Sequence, residues 1–317
     1  MMSSLLDSTD GKILYEIDLN ARASAAFIAK KIRKPKETVH YRLNKYLKEK
    51  KIRYFYTLVN ASMIGYHYYL ILIKLNRAGP KEKKGIANHI IDSGSCISIN
   101  EVEGRYDFSL VAAFIDPERF NSFMKRLYSK CGNRISEKSI NLVLATHKFS
   151  QGFLSDAKIR KVSSNHSSIS DISLKNTDRE IIGWLSDNAR MKLNDLAAKI
   201  KVNEKLIKYH LKQLERKNII VGYFPMLNMD ALDRELLQVN ICLKNPQVRP
   251  GIIEYFSQSR TCNIAYELLG KYDLVLEFSV EDHQQLRKLI SGFRHHFDYI
   301  EYNTMQVYRN NFINWSP

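Results

Sequence analysis

Two short runs carry the side chains with the most evident chemistry. The first holds Lys36, Thr38, His40, Tyr41, Arg42 and Lys45; the second holds Lys205, Lys208, Tyr209 and Lys212. Cations and hydroxyls gathered on one helix face neutralise phosphates and reach hydrogen-bonding edges in a wide groove. The spacing allows this: Val39, Leu43, Tyr46 and Leu47 form one apolar stripe, and Ile207, Leu211 and Leu214 form another. The cationic residues are left on the outward face. An ordinary solvated helix face has the same pattern, so the neighbouring elements decide.

Each run is the third of three short helical patterns. Thr9 and Thr177 stand where a helix N-cap is expected, ahead of Ile13, Leu14, Ile17 and Ile181, Ile182, Leu185. Asn20 and Asn188 fall where those helices should stop, Asn being tolerant of the left-handed conformation. Second helices are expected over Ala25–Ile32 and Leu193–Ile200, with Pro35 and Asn203 opening the third ones. A short helix, a tight turn and a longer basic helix make a helix-turn-helix. The strand-like IRYFYTLVN and IIVGYFPML that follow suit a wing.

The same plan appears twice because the chain repeats itself. Shifted by 168 residues, Thr9–Asn60 lies on Thr177–Asn228 without a gap, and about a quarter of the aligned positions are identical. After two residues of slippage, Gly104-Arg105-Tyr106-Asp107 meets Gly270-Lys271-Tyr272-Asp273. Beyond each helix-turn-helix the pattern runs strand, helix, strand, strand, helix, strand, the ferredoxin-like βαββαβ order. In the second copy the expected elements are Leu236–Lys244, Val248–Ser259, Cys262–Leu269, Tyr272–Val280, His283–His296 and Tyr299–Tyr308. The fold class is therefore α+β: a tandem repeat of winged helix-turn-helix and ferredoxin-like domain. The boundaries are 1–60, 61–150, a linker at 151–176, then 177–228 and 229–317. Ser-rich, polar residues 155–175 read as the flexible part of that linker.

Charge follows the same division. The net of +16 distributes as +7, +5, +2, +4 and −2 over those five segments, so the basic excess peaks at the start of the chain and returns at 177–228. A local excess of this kind suits phosphate binding by counterion release. Four scattered cysteines without a Cys-x-x-Cys pair argue against metal clusters and disulfides. No apolar run is long enough for a membrane span, and the first residues lack a secretory pattern, so a cytoplasmic protein without cofactor is expected. No Ser/His/Asp signature, phosphate-binding loop or Gly-rich dinucleotide loop is present.

With Asn-Ala-Arg after the first helix and Gly-x-Tyr-Asp between the second and third ferredoxin-like strands, the sequence resembles the leucine-responsive regulatory protein/AsnC family of prokaryotic transcription regulators. The resemblance covers about 9–149 and 177–308. It implies that each third helix reads double-stranded DNA. It implies also that the ferredoxin-like domains mediate pairing and bind a small effector such as an amino acid. The Gly-x-Tyr-Asp turns are the implied effector site: Gly104, Arg105, Tyr106, Asp107, Gly270, Lys271, Tyr272 and Asp273. A tight hairpin turn would select the same residues. Typical members are a single unit, whereas two share this chain. The two ferredoxin-like sheets are expected to pack as an internal pseudo-dimer, each covering the other's apolar face, with room for a higher homo-oligomer.

Two other classes compete. Sirohaem decarboxylases of haem biosynthesis share the architecture and would need histidines and arginines clustered in a ferredoxin-like cavity. Of the nine histidines (His40, His67, His89, His147, His166, His210, His283, His295 and His296) none lies in the hairpin turns. A ligand sensor that no longer binds DNA is the third class, and the basic third helices argue against it.

Overall fold

The computed structural model describes residues 6–157, 159–166, 170 and 172–312. The first unit opens with α1 (Ser8–Leu19), α2 (Ala25–Ile32), α3 (Lys36–Lys48) and β1 (Ile52–Val59). It continues with β2 (His67–Leu75), α4 (Pro80–Ile91), β3 (Cys96–Glu103), β4 (Phe108–Phe114), α5 (Pro117–Cys131) and β5 (Ile135–Phe149). After β6 (Lys161–His166), the second unit has α6 (Asn176–Asp187), α7 (Leu193–Ile200), α8 (Glu204–Arg216) and β7 (Ile220–Leu227). Its second half is β8 (Glu235–Leu243), α9 (Arg249–Ser257), β9 (Cys262–Leu269), β10 (Leu274–Val280), α10 (His283–His296) and β11 (Tyr299–Phe312).

The helix ends show which local chemistry prevails. Asp7, not Thr9, caps α1: its carboxylate accepts from Thr9 N at 2.8 Å and Asp10 N at 2.7 Å, and Asp10 accepts in return from Asp7 N at 3.1 Å. A carboxylate takes two amide donors and also complements the positive helix end, which a hydroxyl does not. Thr177 likewise sits inside the first turn of α6, where Lys175 N donates to Asp178 at 3.0 Å. Asn20 and Asn188 do end α1 and α6, but in extended backbone (φ −158° and −149°). Left-handed backbone closes α2 and α7 instead, at Arg33 and Lys201. In α3 the buried stripe is Val39, Leu43 and Tyr46, while Leu47 stays 41% exposed.

Each ferredoxin-like half has its own four-strand order, β5-β2-β4-β3 and β11-β8-β10-β9. The last strand of each half is long enough to serve both. β5 pairs with β2 through Ile135–Leu142 and with β9 through Leu142–Lys148. β11 pairs with β8 through Tyr299–Gln306 and with β3 through Gln306–Phe312. The eight strands therefore close into a ring. The apolar faces expected to pack on one another are covered instead by each half's own helices. Ile71, Phe108, Leu110 and Phe114 cluster with Ile86, Ile90, Phe123 and Leu127 of α4 and α5; Leu237, Ile241, Leu276 and Phe278 cluster with Ile252, Phe256, Ile290 and Phe293 of α9 and α10. The opposite faces alternate into a mixed set, with Leu72, Val111 and Met305 beside buried Ser109, Asn141, Gln238, Asn240 and Glu277. Backbone pairing through β5 and β11 joins the halves.

The segment read as a structureless linker is corrected in part: β6 lies against β5 from Ala145↔His166 to Phe149↔Lys161. The far half of β5 presents a second row of backbone donors and acceptors, and an edge strand needs no apolar alternation to satisfy them. The strands β1 and β7 pair with each other, antiparallel, from Ile52↔Leu227 to Val59↔Ile220. One ribbon thus joins the two helix-turn-helix modules and lies over one end of the ring.

Candidate nucleic-acid interface

Helices α3 and α8 leave Lys36, His40, Tyr41 and Lys45, and Lys205, Lys208, Tyr209 and Lys212, exposed; Thr38 is half-buried. Tyr41 and Tyr209 are equivalent under the repeat and are 67% and 57% exposed, large apolar rings held in solvent on both helices. A shallow groove runs along α3, lined by Lys36, His40, Tyr41, Lys45 and Lys48.

Arg42 departs from this set and is corrected. Its Nη1 donates to Asp7 Oδ1 and Oδ2, both at 2.7 Å, and to Asp10 Oδ1 at 2.5 Å. Asp10 also accepts from the Tyr46 hydroxyl. Arg42 holds the Asp7 carboxyl below the usual carboxylate range, and Asp7 in turn raises the proton affinity of the guanidinium. The side chain braces α3 against the start of α1 and is not free to read a base. Under the repeat Arg42 corresponds to His210, and His210 Nδ1 meets Asp178 at 2.6 Å in the same place. Sequence periodicity put Arg42 on the outer face because it is basic; its partners lie 35 and 32 positions away.

Two further arginines fix how the heads sit. Arg22 Nη1 donates to Ala189 O at 2.6 Å and Met191 O at 3.1 Å. Arg190 Nη1 returns the contact to the Ala21 and Ala23 carbonyls. Ala21 N donates to Tyr223 O at 2.8 Å and Ala189 N to Phe55 O at 3.2 Å, so each turn is also bonded to the other unit's ribbon strand. The guanidinium of Arg22 lies 5.2 Å from the Tyr223 ring centroid, and that of Arg190 5.2 Å from Phe55. Burial, and then the charge of Arg22, push the Arg190 proton affinity down. The Asn-Ala-Arg run is therefore a reciprocal clasp between the heads. A signal for it existed: in the aligned helix-turn-helix segments it is the longest identical stretch.

The Gly-x-Tyr-Asp turns form a second junction. The Tyr106 and Tyr272 hydroxyls are 3.2 Å apart, and both residues are fully buried. Tyr106 donates to Glu137 Oε1 at 2.9 Å, Lys271 Nζ donates to the same oxygen at 2.8 Å, and Arg105 Nε at 3.1 Å. Lys271, then Arg105 and Tyr106, pull the Glu137 carboxyl down to about 2. Asp107 accepts from Leu75 N at 2.8 Å and Lys83 at 2.6 Å; Asp273 accepts from Leu243 N at 2.8 Å and Arg249 at 3.1 Å. The glycines are required by close approach. A Cβ at Gly270 would meet Ile140 O at 2.8 Å, and one at Gly104 (φ +136°) would meet Thr304 O at 3.1 Å, each from the other unit. Gly104 also borders an open groove of about 660 Å³ between α10 and β11, where His283, Arg287 and Arg294 stand.

Among the described residues no group of His, Cys, Asp and Glu has the geometry of a metal site, the four cysteines are free and buried, and no helix is long and apolar enough to cross a membrane.

The family described as winged helix-turn-helix DNA-binding matches residues 6–53 and 174–221. An uncharacterised HTH-type transcriptional regulator of Pyrococcus furiosus is 31% identical over 114 residues, 34% of this chain and 73% of that protein. The leucine-responsive regulatory protein of Haemophilus influenzae is 26% identical over 120 residues, 36% of this chain and 70% of its own length. In fold, the crystal structure of the siroheme decarboxylase NirDL superposes with a TM-score of 0.62 at 10% identity, covering 96% of this chain and 92% of that one. The chain belongs to the leucine-responsive regulatory protein/AsnC family of helix-turn-helix proteins, with two family units in tandem.

Proposed function

We propose that this chain is a sequence-specific, double-stranded-DNA-binding transcriptional regulator that carries two unlike reading heads on one rigid frame. The observation that carries the reading is the pair of exposed cationic helices, α3 and α8, on modules clasped by Arg22 and Arg190. Lys36, Thr38, His40, Tyr41 and Lys45 are the contacts of the first head; Lys205, Lys208, Tyr209 and Lys212 are those of the second. Because the heads differ, with His40 standing where the second copy has Lys208, the preferred operator has two dissimilar half-sites. Paired helix-turn-helix modules set such half-sites ~34–36 Å apart.

A small effector such as an amino acid acts through the ferredoxin-like part. Gly104 borders an open groove lined by Arg287 and Arg294, which suits a carboxylate-bearing ligand. The tyrosines and aspartates are engaged within the protein and act as the frame of the turns. The internal pairing of the two units is the functional dimer.

Fluorescence anisotropy on the protein's own promoter and on a scrambled duplex, titrated with salt, tests the reading. With about five lysine–phosphate contacts the log–log slope should lie between about −4 and −5. Equal, weak binding to both duplexes refutes sequence-specific regulation. One observation favours a second reading: the fold likeness to NirDL together with His283, Arg287 and Arg294 in the Gly104 groove. Absorbance titration with a carboxylated tetrapyrrole, followed by assay for carbon dioxide, decides it.

A further inference from the structure

Between the β1/β7 ribbon and the open end of the ring lies a partly open cavity of about 150 Å³. Its roof is ribbon: Tyr56, Leu58, Val59, Met226 and Leu227. Its floor is the inner face of the sheet: Ile97, Asn100, Val111, Leu236, Ile264 and Glu277. More of this wall is apolar than polar, and a cavity of about this size admits a molecule as large as benzene.

The polar groups in it are left incomplete in one particular sense. Asn100 is 5% exposed, and its Oδ1 has no hydrogen-bond partner. The Glu277 carboxylate is 7% exposed and accepts one side-chain bond, from Asn100 Nδ2 at 3.3 Å. A carboxylate offers about four acceptor positions and an amide oxygen two, so what is missing is donors. Lys148 also lines the cavity, but its ammonium is drawn to the buried Asp18, 3.8 Å away and outside the lining. Arg53 and Asp230 are exposed at the cavity's rim. Burying an unpaired acceptor is unfavourable, and an N–H-bearing ligand removes that defect. The rings of Tyr56, Tyr68 and Tyr266 add the aromatic surroundings that attract organic cations.

We propose that this cavity binds a primary ammonium carried on a short apolar body, its N–H groups donating to Asn100 Oδ1 and the Glu277 carboxylate. A primary ammonium brings three donors and no acceptor, which matches the deficit. The apolar wall takes the remaining five or so carbon atoms that a cavity of about this size admits. Burial pushes the Glu277 carboxyl up to about 7; a bound cation would bring it down, so binding strengthens above neutral pH. The ligand touches the ribbon that both heads pack against and the sheet below it, so occupancy is coupled to head geometry. That coupling rests on the regulator reading; the binding does not.

The test is calorimetric titration of the full-length protein at pH 8 with isoamylamine, leucine and 4-methylpentanoate, which share the branched body and differ in the head. Isoamylamine should bind, and Glu277→Gln should weaken it at least tenfold. Ile97→Phe fills the cavity and should abolish binding while circular dichroism stays native, which guards against a variant that has merely unfolded. Leucine binding that Glu277→Gln also weakens supports the site and identifies the α-ammonium of an amino acid as the source. Binding of 4-methylpentanoate at equal strength, or no binding of either amine, overturns the proposal. Promoter anisotropy with and without isoamylamine reads the coupling separately: a shift in DNA affinity that Glu277→Gln removes supports it, and DNA affinity unmoved by bound amine overturns it while leaving the site intact.

Discussion

Replacing Arg22 with alanine tests the reciprocal clasp. Its Nη1 makes two bonds to backbone carbonyls of the other unit, at 2.6 and 3.1 Å, and its guanidinium lies against Tyr223. A hydrogen bond to a charged group contributes about 1.5–3 kcal/mol. The site is half-buried and water can partly replace the lost donor, so the lower end applies to the pair: about 2–3 kcal/mol for Arg22→Ala, and the same for Arg190→Ala. The double variant should lose more than the sum, because each single variant is partly offset by a relief of repulsion that the double can gain only once. Arg190 is held below its ordinary proton affinity by burial and then by Arg22, so removing either charge relieves the other. Interaction energies between neighbouring sites of about 0.5–1 kcal/mol are ordinary. Urea unfolding of the wild type, both single variants and the double variant closes the cycle. Arg22→Lys should not restore stability, because an ammonium lacks the planar fork that spans two carbonyls. Single variants within about 0.5 kcal/mol of wild type, the range of an ordinary surface substitution, would refute the clasp. Strict additivity would refute the electrostatic coupling alone.

Arg42→Ala should destabilise the first head by about 1–3 kcal/mol, as expected for a charge-assisted bond to a carboxylate, and should weaken all DNA sequences alike. A change in base preference at one operator position would return Arg42 to the reading face. Lys208→Ala should leave the unfolding midpoint unchanged and make the salt slope shallower by about one. Glu277 carries a pH dependence whose sign follows from its raised value: its favourable contribution is full below about 4.5 and is lost as pH rises through about 7. Wild type should therefore lose stability over that window by an amount on the order of 3 kcal/mol that Glu277→Gln does not lose. Parallel stability–pH curves for the two proteins would show that the carboxyl is not buried as described. Glu137 should behave oppositely, its contribution lost as pH falls from about 4.5 towards about 2, and Glu137→Gln should remove that acid-limb loss from the unfolding curve.

The helices were legible because their signals are local. Ala25–Ile32, Leu193–Ile200 and His283–His296 were expected at the boundaries observed, as was the strand Cys262–Leu269. The repeat, and with it the fold class, could be read by sliding the chain on itself. What stayed hidden depends on residues far apart. β11 runs four residues past the expected Tyr308 because its second half has a partner in β3, some two hundred positions earlier. The strand in the Ser-rich connector exists because β5 has an edge to cover, not because VSSN looks like a strand. Arg42 looked like a reader, and only the distance to Asp7 shows it is a brace. The cavity donor deficit needs both Asn100 and Glu277, 177 positions apart, to be in one place.

The shared strands bear on how such a chain can change over generations. In β5 and β11 one stretch belongs by order to its own unit, and the next is hydrogen-bonded into the other. A gene fragment encoding either half would leave the end of its last strand unpaired and would need a second polypeptide to finish the sheet. Once joined, however, the halves no longer have to match themselves, only each other. A substitution in one copy can be answered by a different one in its neighbour wherever side chains meet across the units, as Lys271 meets Glu137. The fusion thus acts as a ratchet: each compensating pair accepted makes a return to two identical, separable units less accessible.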